Sequence, residues 1–158
     1  STSEWMDAWL DSDLAADEIG QILSKTLQPG LNLISIEPVS LHATPLQNRV
    51  ISTIYRLTLP SSLSIINVEQ RIDSLLSKPA LQRERRGKSY DLKPLIEKVE
   101  IKAELQDLIL LLQLSARPGA TGRPEEVLAE LGIDPLSADV ERTEILFSPE
   151  EESEITHG

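Results

Sequence analysis

The chain lacks cysteine altogether and has only five aromatic residues among its 158 amino acids. The absence of cysteine excludes disulfide bonds, thiolate nucleophiles and Cys-ligated zinc or iron–sulfur sites within this sequence. It is also typical of cytoplasmic proteins, so we expect that location. The scarcity of aromatic side chains predicts an aliphatic core. It also leaves few candidates for a surface that stacks the bases of single-stranded nucleic acid.

Long apolar runs are missing as well, because no stretch approaches the roughly 20 residues that cross a bilayer. Residues 108–112 read LILLL, which is a short run typical of a buried strand. We therefore expect no contact with a membrane. A length of 158 residues suits one domain, or two small modules that share a core.

Negative charge dominates the chain, whose formal net charge is −11, but it is unevenly distributed. Residues 1–18 carry six acids and no base, and residues 150–154 carry four more acids. The most basic run is LQRERRGKSYDLKP at residues 81–94, with five of the fifteen Lys and Arg residues. Because the local field matters more at a site than the net charge, an anionic partner is compatible with this acidic composition.

Hydrophobic periodicity predicts a mixture of strands and helices. Predicted strands cover residues 4–10, 31–39, 49–59, 80–86, 89–92, 99–104, 108–115 and 140–147. The first predicted helix is capped by Ser12 or Asp13 and ends before Pro29. A second helix covers about residues 67–77 with Asn67 in its cap, and a third begins at Pro124 and stops at Gly132.

This order of elements predicts an α+β fold. Residues 49–147 give a ferredoxin-like β-α-β-β-α-β unit, if the basic hairpin at residues 80–93 is an insertion. Residues 1–48 then form a half ferredoxin-like β-α-β unit, and residues 148–158 form an acidic, disordered tail. A half unit leaves an unpaired strand edge, which another chain tends to cover, so a homo-oligomer joined through that edge is one expectation.

The basic hairpin is the first candidate anion-binding site. Arg83 and Arg85 would project from one face, with Arg86 and Lys88 at the tip and Lys93 beyond the second arm. Guanidinium groups suit phosphate, and Gly87 would let a backbone amide approach an anion. The alternative interpretation is that these cations only deter edge-to-edge pairing of strands.

A second candidate anion site lies further along the chain. Arg117 and Arg123 flank a glycine-containing loop that leads into the helix beginning at Pro124, and Arg142 lies on a neighbouring predicted strand. The alternative is that Pro124 and Glu125 are ordinary helix-start residues. The complete predicted anion-binding set is Arg83, Arg85, Arg86, Lys88, Lys93, Arg117, Arg123 and Arg142.

Other candidate sites are weaker. Trp5 and Trp9 share a predicted strand face and are interpreted as core or interface residues, with ring stacking as the alternative. Glu4 faces away from Asp7 on that strand, so no metal site is expected, since hard cations need convergent oxygens. His42 is the only placed acid–base candidate. The sequence predicts no catalytic residue and no cofactor.

An ordered set of short motifs carries a family resemblance. The motifs are SEWMD at residues 3–7, LQPGL at 27–31, RRGK at 85–88, DLKP at 91–94, GRPEEVL at 122–128 and VERT at 140–143. Together they resemble the radical SAM-linked protein family, over residues 3–147. The resemblance implies a radical SAM protein as partner and RNA modification as context, but no chemistry. That family begins with a further N-terminal module rich in Arg and Ser, so we expect this sequence to be a piece of a longer chain.

Three functional hypotheses follow. The first is a non-catalytic accessory or binding domain that holds a radical SAM partner or its anionic substrate, such as RNA. The second is a metal-independent RNA-processing or RNA-modification enzyme on a tandem ferredoxin-like fold, with His42 as its acid–base group. The third is a protein–protein interaction module that uses the face of Trp5 and Trp9.

Overall fold

The computed structural model describes residues 4–149, which contain both helices and antiparallel strands and therefore form an α+β fold. The helices are α1 (Ala16–Thr26), α2 (Leu46–Arg49), α3 (Ile65–Ser77) and α4 (Pro124–Glu130), with single 3-10 turns at Lys93–Leu95 and Pro135–Ser137. The strands are β1 (Val50–Leu59), β2 (Gln82–Arg85), β3 (Lys88–Asp91), β4 (Ile96–Glu104), β5 (Asp107–Arg117), β6 (Ala120–Thr121) and β7 (Asp139–Phe147). Most of the predicted acidic tail lies outside the described residues.

The main sheet has the strand order β4-β5-β1-β7, and every neighbouring pair is antiparallel. The short strand β6 pairs with the end of β5. Strands β2 and β3 form a separate two-stranded hairpin. The central strands β1 and β5 are each hydrogen-bonded to a neighbour on both edges.

One face of the main sheet carries the hydrophobic core. Leu57 pairs with Leu110 across β1 and β5, and both side chains are fully buried. Helices α3 and α4 pack on this face and contribute the buried residues Val68, Ile72 and Leu128. Since alternate residues of a strand point to opposite faces, the other face of β1 presents polar side chains such as Arg56. The expected aliphatic core is confirmed.

Helix α3 begins earlier than the sequence predicted. Its N-cap is Ser64, whose hydroxyl oxygen accepts a hydrogen bond from the Asn67 amide at 3.3 Å. The side chain of Ser64 thus satisfies one of the free amides of the first turn. Helix α1, by contrast, begins later than predicted. Its N-cap is Ala15 rather than Ser12 or Asp13, and the Ala15 amide donates to Glu18 Oε2 at 3.2 Å.

The two strands predicted near the N-terminus are not formed. Residues 4–10 and 31–39 adopt no regular secondary structure, and α1 between them buries none of its residues. Alternating apolar residues favour an extended chain, but a strand also needs a neighbouring backbone that completes the ladder of hydrogen bonds. In the described part of the chain, no such ladder includes residues 4–49, and the first buried residue is Ser52.

Candidate binding surfaces

The hairpin of β2 and β3 turns through Arg86 and Gly87, whose φ angles are 53° and 74°. Two successive positive φ angles match the right-handed twist of a two-residue hairpin, and glycine reaches this region at little cost. The register pairs Arg85 with Lys88. The geometry of this two-residue turn therefore places Arg86 and Lys88 at the exposed tip of the hairpin, as predicted.

Arg85 does not point into solvent. Its Nη2 lies 2.7 Å from both carboxylate oxygens of Glu126 on α4, and its Nη1 donates to the carbonyl oxygen of Thr121 at 3.1 Å. The guanidinium also lies 4.9 Å from the ring centroid of Tyr90 on β3, within the range of a cation–π contact. These interactions join the hairpin to the start of α4.

Arg83 strengthens the same junction, and Lys93 makes a separate contact with α3. Arg83 Nη2 donates to the carbonyl oxygen of Glu126 at 3.0 Å, and Arg83 Nε lies 3.6 Å from Glu130 Oε1. Lys93 Nζ donates to the carbonyl oxygen of Leu76 near the C-terminus of α3. A cation there complements the free carbonyls and the negative end of the helix dipole.

The carboxylate of Glu126 is held in its ionised form by this junction. Burial by itself would raise the pKa of Glu126, but the interactions with Arg85 and Tyr90 and the charge of Arg123 outweigh burial and lower it. For Tyr90, burial is the largest cause, and together with Glu126 it raises the pKa of the phenol. An anionic ligand that binds Arg85 would therefore have to displace the carboxylate of Glu126, which already pairs with this arginine.

Arg117 belongs to a different network at the end of the main sheet. Its Nη1 lies 3.0 Å from Glu97 Oε1, while Ser52 Oγ donates to Glu97 Oε2 at 2.5 Å and Gln113 Nε2 donates to the same oxygen at 2.9 Å. Burial would raise the pKa of Glu97, but these three donors lower it overall. Because Glu97 accepts from all of them, Arg117 is also engaged within the fold.

Arg142 and Phe147 tie the N-terminal segment to β7. Arg142 Nη2 donates to Glu4 Oε1 at 2.5 Å, and the rings of Trp5 and Phe147 meet edge to face with centroids 5.7 Å apart. The amide of Leu46 donates to Asp7 Oδ2 at 2.7 Å. These contacts hold the first described residues beside the edge of the main sheet.

The predicted anion-binding residues are thus divided into three groups. Arg83, Arg85 and Lys93 contact α4 or α3, whereas Arg117 and Arg142 pair with carboxylates elsewhere. Arg86, Lys88 and Arg123 are exposed, and the ion pairs among residues 4–149 include none of the three. Those of the predicted residues that are exposed and form no ion pair among residues 4–149 therefore lie at the hairpin tip and at the start of α4.

Exposed apolar side chains are concentrated at the N-terminal end of the described residues. Of fourteen exposed large apolar side chains among the described residues, ten lie between Trp5 and Leu41. They are Trp5, Met6, Trp9, Leu10, Leu14, Ile22, Leu31, Ile34, Val39 and Leu41. Trp9 is 63% exposed and Ile34 is 80% exposed. We call residues 4–41 the N-terminal apolar surface.

A groove runs along this surface between α1 and the extended segment that follows it. It has a volume of about 510 Å³, with Gly20 and Lys25 on the helix side and Leu33 and Ile36 on the opposite side. A Cβ atom at Gly20 would lie 3.7 Å from side-chain atoms of both Leu33 and Ile36. The groove is open to solvent.

Three further features concern the described residues. His42 lies in an exposed turn, where its amide donates to Ser40 Oγ at 3.2 Å. No cluster of three or more His, Asp or Glu side chains in residues 4–149 is arranged to hold a metal ion. No helix in the same range is both long and apolar enough to span a membrane.

The sequence interpretation missed the partners of the basic hairpin. Glu126 and Glu130 are four residues apart on α4, so they lie on the same helix face, and that spacing could have been noticed. What it could not show is that Arg83 and Arg85 lie opposite that face. The exposure of Ile34 was also missed, because residues 31–39 were predicted to form a strand with Ile34 and Ile36 on its inward face.

Comparison with known proteins identifies the family but supplies no activity. The profile of a family described as an uncharacterized protein conserved in bacteria (DUF2344) matches residues 1–124. No curated protein and no solved structure matches the chain. The family description names no partner, so the association with radical SAM proteins is a proposal. Since the match covers well over half of the sequence, this chain belongs to the DUF2344 family of conserved bacterial proteins.

Proposed function

We propose that this chain is a non-catalytic binding module that docks onto another protein through the N-terminal apolar surface. The observation that carries this proposal is the concentration of ten exposed large apolar side chains between Trp5 and Leu41. Contiguous exposed apolar patches on soluble proteins mark interaction sites. Trp5, Met6 and Trp9 lie within five positions, and tryptophan and methionine are enriched where proteins meet.

The architecture supports a docking role for this segment. We interpret the sheet order β7-β1-β5-β4, with α3 and α4 as its crossovers, as a ferredoxin-like unit. Residues 4–41 then belong to a second, incomplete unit whose extended stretches have no strand partner. Following the sequence resemblance, we propose a radical SAM protein as the class of partner.

A paired capture experiment tests the docking function. The variant Trp9→Ala/Ile34→Asp removes apolar area from the surface, and the control Leu105→Asp/Leu136→Asp alters two still more exposed leucines elsewhere. We expect wild type and control to retain the same bacterial proteins, and the surface variant to lose them. Each lost protein is then purified and titrated against all three forms. Equal affinities for the three forms would refute the proposal.

A second candidate function is contact with an anion such as RNA through the exposed cations Arg86, Lys88 and Arg123. Its specific support is that these three lie close to the hairpin junction and carry no ion pair among residues 4–149. The open face of the main sheet is a poor alternative, because β1, β4 and β5 place no aromatic ring there for base stacking.

Salt-dependent RNA titration tests the second candidate. Arg86→Ala/Lys88→Ala should weaken binding to single-stranded RNA and reduce the slope of log K against log salt by about 1.4, if each cation contacts one phosphate. The charge-matched control Lys25→Ala/Lys98→Ala should keep the wild-type slope. Identical slopes in all three proteins would exclude the tip as the contact. The same samples, incubated with labelled RNA, test for the cleavage expected of the enzyme alternative.

A further inference from the structure

The N-terminal apolar surface is also strongly acidic. Between residues 4 and 41 there are seven carboxylates and one lysine, a formal net charge of −6. Glu4 and Asp7 contact the rest of the fold and Glu18 caps α1. The remaining four, Asp11, Asp13, Asp17 and Glu37, are exposed and form no ion pair with another described residue. The surface therefore combines apolar area with uncompensated negative charge.

The backbone of this surface is available for pairing. Residues 32–39 lie in an extended stretch and make no hydrogen bond, through backbone or side chain, to any described residue. Apart from Pro38, each of them presents a free amide and a free carbonyl group. Proteins use such extended stretches to accept a strand from another chain, with main-chain hydrogen bonds providing affinity and side-chain pockets providing specificity.

Resting on the docking function proposed above, we infer that the occupant is a basic, apolar-faced polypeptide segment that adds to residues 32–39 as a β-strand. Lys or Arg on one face of that segment would meet Asp17 and Glu37, and its apolar face would cover Ile34. A second copy of this chain is disfavoured, because two surfaces of charge −6 repel each other. RNA and anionic lipid are disfavoured for the same reason.

Synthetic peptides test this inference on the full chain. The probe is a ten-residue peptide of alternating Lys and Val with blocked ends, and the comparison peptide alternates Glu and Val. Trp5 and Trp9 are the only tryptophans of the chain, so a blue shift of their emission reports occupancy of the surface directly. We expect the Lys/Val peptide to bind at least tenfold more tightly than the Glu/Val peptide, with an affinity that falls as salt is added.

Two further comparisons address charge and strand pairing separately. Asp17→Asn/Glu37→Gln should weaken the Lys/Val peptide several-fold, whereas Glu69→Gln/Glu84→Gln, which removes two exposed acids elsewhere, should not. A Lys/Val peptide with alternate backbone amides N-methylated cannot complete a ladder and should lose most of its affinity. Amide hydrogen exchange at residues 32–39 should slow only with the unmethylated peptide.

The possible failures are distinguishable from one another. Equal binding of the Lys/Val and Glu/Val peptides overturns the inferred charge of the partner but leaves the docking function standing. Full affinity of the N-methylated peptide overturns the strand mode. A dimer seen by light scattering at the assay concentration overturns the choice of occupant in favour of a second copy. If neither peptide binds, the inference is overturned. The docking function itself is rejected only if the Trp9→Ala/Ile34→Asp variant also captures the same proteins as wild type.

Discussion

Arg85 and Glu126 form the contact that fastens the β2–β3 hairpin to α4, with Arg85 Nη2 lying 2.7 Å from each carboxylate oxygen. Both side chains are about three-quarters shielded from solvent or more. The pair joins elements 41 positions apart in sequence. A guanidinium that interacts with both oxygens of a carboxylate at partly buried positions has a structural role, which changes the interpretation of the basic hairpin.

Removal of this arginine should destabilise the fold. We expect Arg85→Ala to lower the free energy of unfolding by about 1.5–3 kcal/mol, because a charged hydrogen-bond partner is lost and Glu126 is left partly buried. Urea unfolding followed by circular dichroism measures the change. Arg86→Ala, one position along at the exposed tip, should stay within about 0.5 kcal/mol of wild type. Equal effects of the two substitutions would contradict the structural role of Arg85.

Acid should weaken the same junction. The pKa of Glu126 is lower in the folded chain than its ordinary value of about 4.3. The stability that ionised Glu126 adds to the folded chain is therefore fully present above about pH 4.3, and it is lost as the pH falls through the pKa of Glu126 in the folded chain. Unfolding curves collected from about pH 6 down to about pH 2.5 should show a shallower loss of stability for Glu126→Gln than for wild type. Parallel pH profiles would show that the carboxylate is not held by Arg85.

Trypsin should cut first within the N-terminal apolar surface. Lys25 is the only Lys or Arg in residues 1–48, and no residue of that stretch that the structure describes is buried. Local opening there breaks few contacts, so cleavage should precede any cut in the strands. Mass spectrometry of brief digests should show residues 26–158 as the first large product, and Lys25→Gln should abolish it. First cuts at Arg86 or Lys88 would mean that the hairpin opens more readily than this segment.

A glycine at the β4–β5 turn should stabilise the protein. Leu105 has a φ of 54° and is fully exposed at 104%, so it bears left-handed strain without packing gain. Leu105→Gly should raise the free energy of unfolding by about 0.5–1 kcal/mol, since the strain exceeds the added entropy of the unfolded chain. Leu136→Gly, at an equally exposed leucine with negative φ, should lower it slightly. A loss of stability in Leu105→Gly would show that its side chain makes contacts in solution.

Elements with their own local signals were predictable from the sequence. Strand β1 follows from strict alternation, the hairpin tip follows from Gly87, and the start of α4 follows from Pro124. The strands expected at residues 4–10 and 31–39 had the same alternation and were wrong. The difference is that β1 has β5 and β7 on either side, whereas a pattern along one segment cannot report whether a partner backbone exists.

The same distinction between local signals and long-range contacts applies to the candidate sites. The sequence by itself determined the aliphatic core, the acidic N-terminal segment and the cations at the hairpin tip, because composition and turn geometry act over a few neighbouring residues. Only the tertiary structure decided that Arg83 and Arg85 are bound by α4 and that Ile34 is exposed. Pairing of charges and covering of apolar side chains depend on which distant residues meet in space, and those long-range contacts leave Arg86, Lys88 and the N-terminal apolar surface exposed to solvent.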